Sequence, residues 1–138
     1  MIKYIKTNAV DYVLEKDSHV LIHVCNNRGV MGSGIAKEIK EKIPEAYRDY
    51  RRGYTTYDWS LGSPLGIISS DHNSVINMTC QDGYYGWQGD FSKYRRIDYG
   101  KLVSCLLGVK DWLRGEMYTT VVLPYKMGAD RDWETSLP

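Results

Sequence analysis

The stretch that decides the fold is VLIHVCNNRGVMGSGIAKEIKEKI, residues 20–43. Val20, Ile22 and Val24 fall on one face of an extended chain, and Leu21, His23 and Cys25 on the other. Both faces are mostly apolar, which predicts a central strand covered on both sides. From Ser33 the period changes. Ile35, Ala36, Ile39 and Ile43 make a helical stripe, with lysines and glutamates between them. A covered strand running through a glycine-bearing loop into a helix is the unit of an α/β sheet.

Working outward, IKYIK (2–6) reads as a short strand. Pro44 suits the first turn of a second helix, PEAYRDYRR. LGSPLGIISS carries turn residues before a short β-branched run. SVINMTC (74–80) reads as a buried strand, and QDGYYGWQGDFSKYRR as a long loop of the kind that often carries function. IDYGKLVSCLLGVKDWL is helical, with Ile97, Leu102, Val103, Leu106, Leu107 and Leu113 as its apolar set. TTVVLP (119–124) is a strand ending at Pro124. The order β, β, α, α, β, β, α, β predicts an α/β sandwich with a mainly parallel sheet. Ligands of such sheets sit beyond the carboxyl ends of the strands. Three loops leave from there: Asn26–Ser33, Gln81–Arg96 and Tyr125–Asp132.

Composition narrows the class. The chain has 138 residues, 43% hydrophobic and 25% charged, and fits one domain with its own core. A net charge of +1 gives no global field to recruit nucleic acid. Tyr47, Arg48, Tyr50, Arg51 and Arg52 interleave aromatics and positive charge, but with Asp49 among them they read better as a solvated helix face. Cys25, Cys80 and Cys105 are odd in number and lack zinc-site spacing. The opening MIKYIKTNAVDY lacks the apolar core of a signal peptide, and no apolar run approaches the ~20 residues of a membrane helix. A reducing, cytoplasmic setting is expected, without metal, cofactor or membrane.

The glycine loop fails two familiar phosphate signatures. As a dinucleotide fingerprint it matches at Gly32 and Gly34 and fails at Lys37, where a small residue is needed. As a Walker loop it fails after Gly34, where Ile35 stands. Two readings stay open. The glycines supply turn conformations alone, or they let backbone N–H groups reach a pyrophosphate at the positive end of the helix. In the second reading the amides of Asn26 and Asn27 pair with ribose hydroxyls. The loop after Pro124 adds a second wall.

VLIHVCNNRGVMGSGIAKEI, INMTCQDGYYG, IDYGKL and LPYKMGADRDWE together resemble macro domains, the ADP-ribose-binding family. The match is to the branch of ADP-ribose-1″-phosphate phosphatases and small phage and bacterial proteins. That branch carries H-x-C/V-N-x-x-G-x-M/W-G-x-G-I-A, met here from His23 to Ala36 without a gap. The resemblance covers essentially the whole chain. It implies a three-layer α/β/α sandwich with a mixed, mainly parallel sheet and a single domain over residues 1–138. It implies binding of ADP-ribose or a derivative and hydrolysis of ADP-ribose-1″-phosphate. A pure binding module is the alternative, as is a hydrolase acting on ADP-ribosylated protein or nucleic acid. The lysine nucleophile of a related protein-acting branch has no match here, since Cys80 and Gln81 occupy that strand end and Lys93 lies far along the loop.

The resemblance also assigns a site. Adenosine lies near Asn8, which stands where many macro domains have aspartate, with Asp11 as a stand-in. The diphosphate rests on the backbone of Gly32, Ser33, Gly34, Ile35 and Ala36 and of Met127, Gly128, Ala129 and Asp130, with Met31, Pro124, Tyr125 and Lys126 as further ligand-binding residues. The distal ribose meets Asn26 and Asn27, with Gln81 beside them and Tyr84, Tyr85 and Trp87 as stacking candidates. His23 is either a nucleophile or general acid–base, or a strand histidine that sets its neighbours. Asp130 is either a base or a helix cap. The family's last helix and strand are expected to be missing after DWETSLP, which leaves room for a homodimer. For a phage-encoded protein the setting is the host cytoplasm.

Overall fold

The structure is a computed structural model that describes residues 2–32, 34–56, 63–68, 74–81, 83, 97–115 and 120–125. Its elements are α1 (Ala9–Val13), β1 (His19–Asn26), α2 (Gly34–Lys42), α3 (Pro44–Thr56), β2 (Pro64–Ile68), β3 (Ser74–Gln81), α4 (Tyr99–Leu113) and β4 (Thr120–Val122). The described sheet has the order β2-β3-β1-β4. β1 pairs in parallel with β3 and β4, and β2 runs antiparallel to β3. This is the expected mixed, mainly parallel sheet.

All eight residues of β1 are buried. Its alternation divides the core in two. Val20, Ile22 and Val24 pack with Ile76, Met78 and Cys80 of β3 and with Leu102, Cys105 and Val109 of α4. Leu21 and Cys25 face the other way, onto Val10, Val13, Ile39, Ile43, Ala46 and Tyr50. Helices therefore cover both sheet faces, as the two-sided apolar pattern of β1 requires. The α2 stripe forms as its spacing predicts. Ile39 and Ile43 are buried, and Ile35 and Ala36 pack against them.

Two expectations change. IKYIK lies outside any strand, with Ile2 and Tyr4 exposed. Its apolar residues do not alternate, so neither face could be buried whole. A short helix, α1, follows instead, capped by Asn8, whose side-chain oxygen accepts from the Asp11 N–H at 2.9 Å. On α4 the buried stripe is Leu102, Cys105 and Val109, while Val103, Leu106 and Leu107 face outward. Asp98 starts this helix by accepting from the Lys101 N–H at 3.0 Å. A Cβ at Gly108 would lie 2.9 Å from the Pro64 ring, so the glycine lets α4 sit tightly on β2. Residues 126–138, which include the segment where the last helix and strand were expected to be missing, lie outside the described residues, as do Tyr84, Tyr85, Trp87 and Lys93.

The α4 register can be tested by urea unfolding. Leu102→Ala should cost about 2–4 kcal/mol, and Leu107→Ala, 58% exposed, within about 0.5 kcal/mol. Equal costs would contradict the register.

Candidate functional site

β1, β3 and β4 are parallel, so their carboxyl ends share one edge of the sheet. Gln81 ends β3, Asn26 ends β1, and Pro124 and Tyr125 follow β4. Neighbouring strands are about 4.8 Å apart, so this row is roughly 10 Å long.

The loop after β1 is closed by one side chain. The Asn26 side-chain oxygen accepts from the N–H of Arg28 at 2.8 Å and of Val30 at 3.4 Å, and its amide nitrogen donates to the Val30 carbonyl at 2.8 Å. Tyr50 of α3 locks the same turn. Its hydroxyl donates to the Asn26 carbonyl at 2.7 Å and accepts from the Gly29 N–H at 3.1 Å. Arg51 donates to the Gly29 carbonyl at 3.0 Å. Gly29 has φ 78, a left-handed conformation natural to glycine. Burial pushes the Tyr50 phenol well above its ordinary range, so it stays a protonated donor. Asn26 thus shapes the loop. Asn27 accepts from the Gly83 N–H at 3.0 Å and donates its own N–H to the Gln81 carbonyl at 3.1 Å, tying the β1 and β3 ends together. Gln81 and Met31 are buried.

An open cleft of about 380 Å³ lies at the β4 end of the row. It is lined by Thr7, Asn8 and Ala9, by Gly34, Ile35 and Glu38 of α2, and by Pro124 and Tyr125. The structure therefore brings five predicted residues, Asn8, Gly34, Ile35, Pro124 and Tyr125, to one cavity from three separate stretches of chain. Gly32 and Ala36 flank it on the loop and helix. Gly34 opens α2 at φ 59. The first turn of α2 holds no acidic residue to offset its positive end. Ser33 and residues 126–130, with Lys126, Met127, Gly128, Ala129 and Asp130, lie outside the described residues.

Sequence reasoning missed Glu38. One turn beyond Gly34, its carboxylate accepts from the Asn8 amide at 2.8 Å and lies 3.4 Å from the Lys42 ammonium. The signal was the i, i+4 spacing Gly34–Glu38–Lys42 on one helix face. Asp11, the expected stand-in, pairs with Lys42 at 2.7 Å and does not line the cleft.

His23 is fully buried. Its ring nitrogen Nε2 lies 2.5 Å from the Asn77 side-chain oxygen and 3.5 Å from the Cys25 sulfur. Burial lowers its pKa to about 4, partly opposed by the Asn77 bond. The ring is neutral at pH 7 and does not reach the cleft. Burial likewise raises the Cys25 thiol well above its ordinary value, so it carries no thiolate. Among the described residues, no group of His, Cys, Asp or Glu is placed to hold a metal ion, and no helix is long and apolar enough to cross a membrane.

The fold has counterparts among solved structures. A crystal structure of a protein from Bacteroides thetaiotaomicron superimposes with a TM-score of 0.76 at 24% identity, covering 98% of this chain and 86% of that one. The macrodomain of Mycobacterium tuberculosis DarG superimposes with a TM-score of 0.68 at 22% identity, covering 99% and 84%. The chain therefore has the fold of macrodomains. Its sequence is similar to the ADP-ribose 1''-phosphate phosphatase of Saccharomyces cerevisiae, 30% identical over 104 residues, which are 73% of this chain and 56% of that protein. The chain thus spans about half the length of that relative. No protein-family model matches the chain.

Two predictions follow from the geometry. Tyr50→Phe should cost about 1–3 kcal/mol by leaving the Gly29 N–H unpaired, with faster hydrogen exchange at that amide; unchanged exchange would contradict the lock. His23 contributes a pH dependence. Its pKa is lowered in the fold, so the unfolded chain takes up a proton that the fold excludes as pH falls from 6.5 toward about 4. Stability should fall over that window by up to roughly 3 kcal/mol. Urea midpoints at pH 7.5 and 4.5 should drop less in His23→Gln than in the wild type.

Proposed function

We propose that this macro domain binds ADP-ribose or a close derivative in the strand-end cleft and hydrolyses ADP-ribose 1''-phosphate to ADP-ribose and phosphate. One observation carries the reading: a single cavity framed by the start of α2 and by Pro124–Tyr125, in a chain similar to a phosphatase of that name. The diphosphate lies against the opening turn of α2, where backbone N–H groups and the helix dipole favour an anion. The distal ribose extends along the strand ends toward Asn27. Asp130 acts there as the base or water-orienting carboxylate. His23 acts through Asn77 and Cys25 on the shape of the strand, and is a positioning residue.

The burial of His23 and Cys25 favours one alternative, a binding module without turnover. Neither side chain reaches a ligand, so the enzymatic reading rests on Asp130. In either case the ligand is a small molecule met in the cytoplasm. Nucleic acid has little to hold. Arg48 and Arg52 are paired along α3 with Glu45 and Asp49, and Arg51 anchors Gly29.

Calorimetry with ADP-ribose, then phosphate release from ADP-ribose 1''-phosphate, separates these readings. Asp130→Ala should lower release by about 100-fold or more while ADP-ribose affinity stays within a few fold. Binding without release in the wild type would leave the binding module. Absence of ADP-ribose binding would overturn both.

A further inference from the structure

Glu38 places a negative charge inside the cleft at which the proposed function seats a ligand with two phosphates. That charge has to face a part of the ligand that welcomes it. Gly34 and Glu38 are one helical turn apart on the same face of α2, separated by roughly 6 Å along the axis. The Gly34 end is electropositive and takes the anion. The Glu38 end repels it. The helix therefore imposes a direction on the ligand, with phosphate toward Gly34 and an uncharged hydrogen-bond donor toward Glu38.

The surroundings of Glu38 narrow that donor. Its contacts with Asn8 and Lys42 both fall on Oε2. Among the described residues, none falls on Oε1. Lys42 is shared with Asp11 at 2.7 Å, so Asp11, Glu38 and Lys42 together carry a net negative charge. Asn8 turns its oxygen back to the α1 cap and its amide nitrogen to Glu38. It holds the carboxylate in place, and is less suited to accept from a ligand itself. Ile35, Ala9 and Pro124 give the cleft apolar walls, and Tyr125, 79% exposed, adds an aromatic one. Flat apolar walls with a carboxylate at one end suit a planar base that carries an exocyclic amine.

We infer that Glu38 is the specificity-determining residue of the cleft, accepting a hydrogen bond from the 6-amino group of adenine while Asn8 orients it. This rests on the proposed binding of ADP-ribose, and names the part of the site that chooses the base. Asn8 then acts through Glu38.

The test compares ADP-ribose with its 6-desamino analogue, in which purine replaces adenine, by calorimetry on the wild type, Glu38→Gln and Glu38→Ala. Adenosine monophosphate and its desamino analogue are titrated alongside. The wild type should favour the amino-bearing member of each pair by about tenfold or more, the range of one hydrogen bond to a charged group. The preference should shrink in Glu38→Gln, which keeps an oxygen but no charge, and approach one in Glu38→Ala. A wild-type ratio near one, or a ratio unchanged in Glu38→Ala, would overturn the inference; the wild-type comparison stands even if the variants fold poorly. ADP-ribose failing to bind while the monophosphate pair keeps its preference would overturn the proposed function alone. Failure of both pairs to bind would overturn both.

Discussion

The structure depends on keeping β1 dry along its whole length while its last residue opens a polar loop. Eight consecutive buried residues demand cover on both faces, and that demand sets α1, α2 and α3 on one side and α4 on the other. At Asn26 the demand reverses, because the backbone must turn sharply with every polar group paired. Tyr50 resolves it. One hydroxyl, reaching from α3, satisfies the Asn26 carbonyl and the Gly29 N–H together. Tyr50 thereby joins the core to the loop.

The site inherits its shape from this arrangement. With the loop pinned, α2 begins at a fixed place beside the end of β4, and the cleft opens between them. Its polarity is written along one face of α2, electropositive at Gly34 and carboxylate at Glu38. Such a site needs no excess of basic residues, which agrees with a net charge of +1. In the proposed reading, backbone N–H groups and a helix dipole take the place of lysines. His23, buried beside Asn77, links β1 to β3 within the sheet.

Much of this was legible in the sequence. The two-sided apolar pattern of residues 20–25, the stripe from Ile35 to Ile43 and the resemblance of the glycine loop pointed to the fold and to the edge where the cleft lies. Pro44 marked the start of α3. What escaped was decided by tertiary packing. α1 is five residues long, too short for a periodic signal, and IKYIK lent its apolar letters to a strand that does not form. On α4, Val103, Leu106 and Leu107 have the right spacing for a buried stripe, and only the position of the sheet selects Leu102, Cys105 and Val109 instead. Asn26 and His23 have the chemistry for a ligand site, but their partners Tyr50 and Asn77 are 24 and 54 residues away. Glu38 looked like one more solvated helix glutamate until Asn8 was placed beside it.

The central claim is that ADP-ribose binds across the start of α2 and the residues after β4. Amide chemical-shift mapping during an ADP-ribose titration tests it directly. The account predicts saturable shifts at Gly34–Glu38, at Asn8–Ala9 and at Tyr125, with smaller changes at Asn27, and little response along the exposed face of α3 around Arg48 and Arg52. Shifts confined to α3 or α4, or none at all at millimolar ligand, would contradict it.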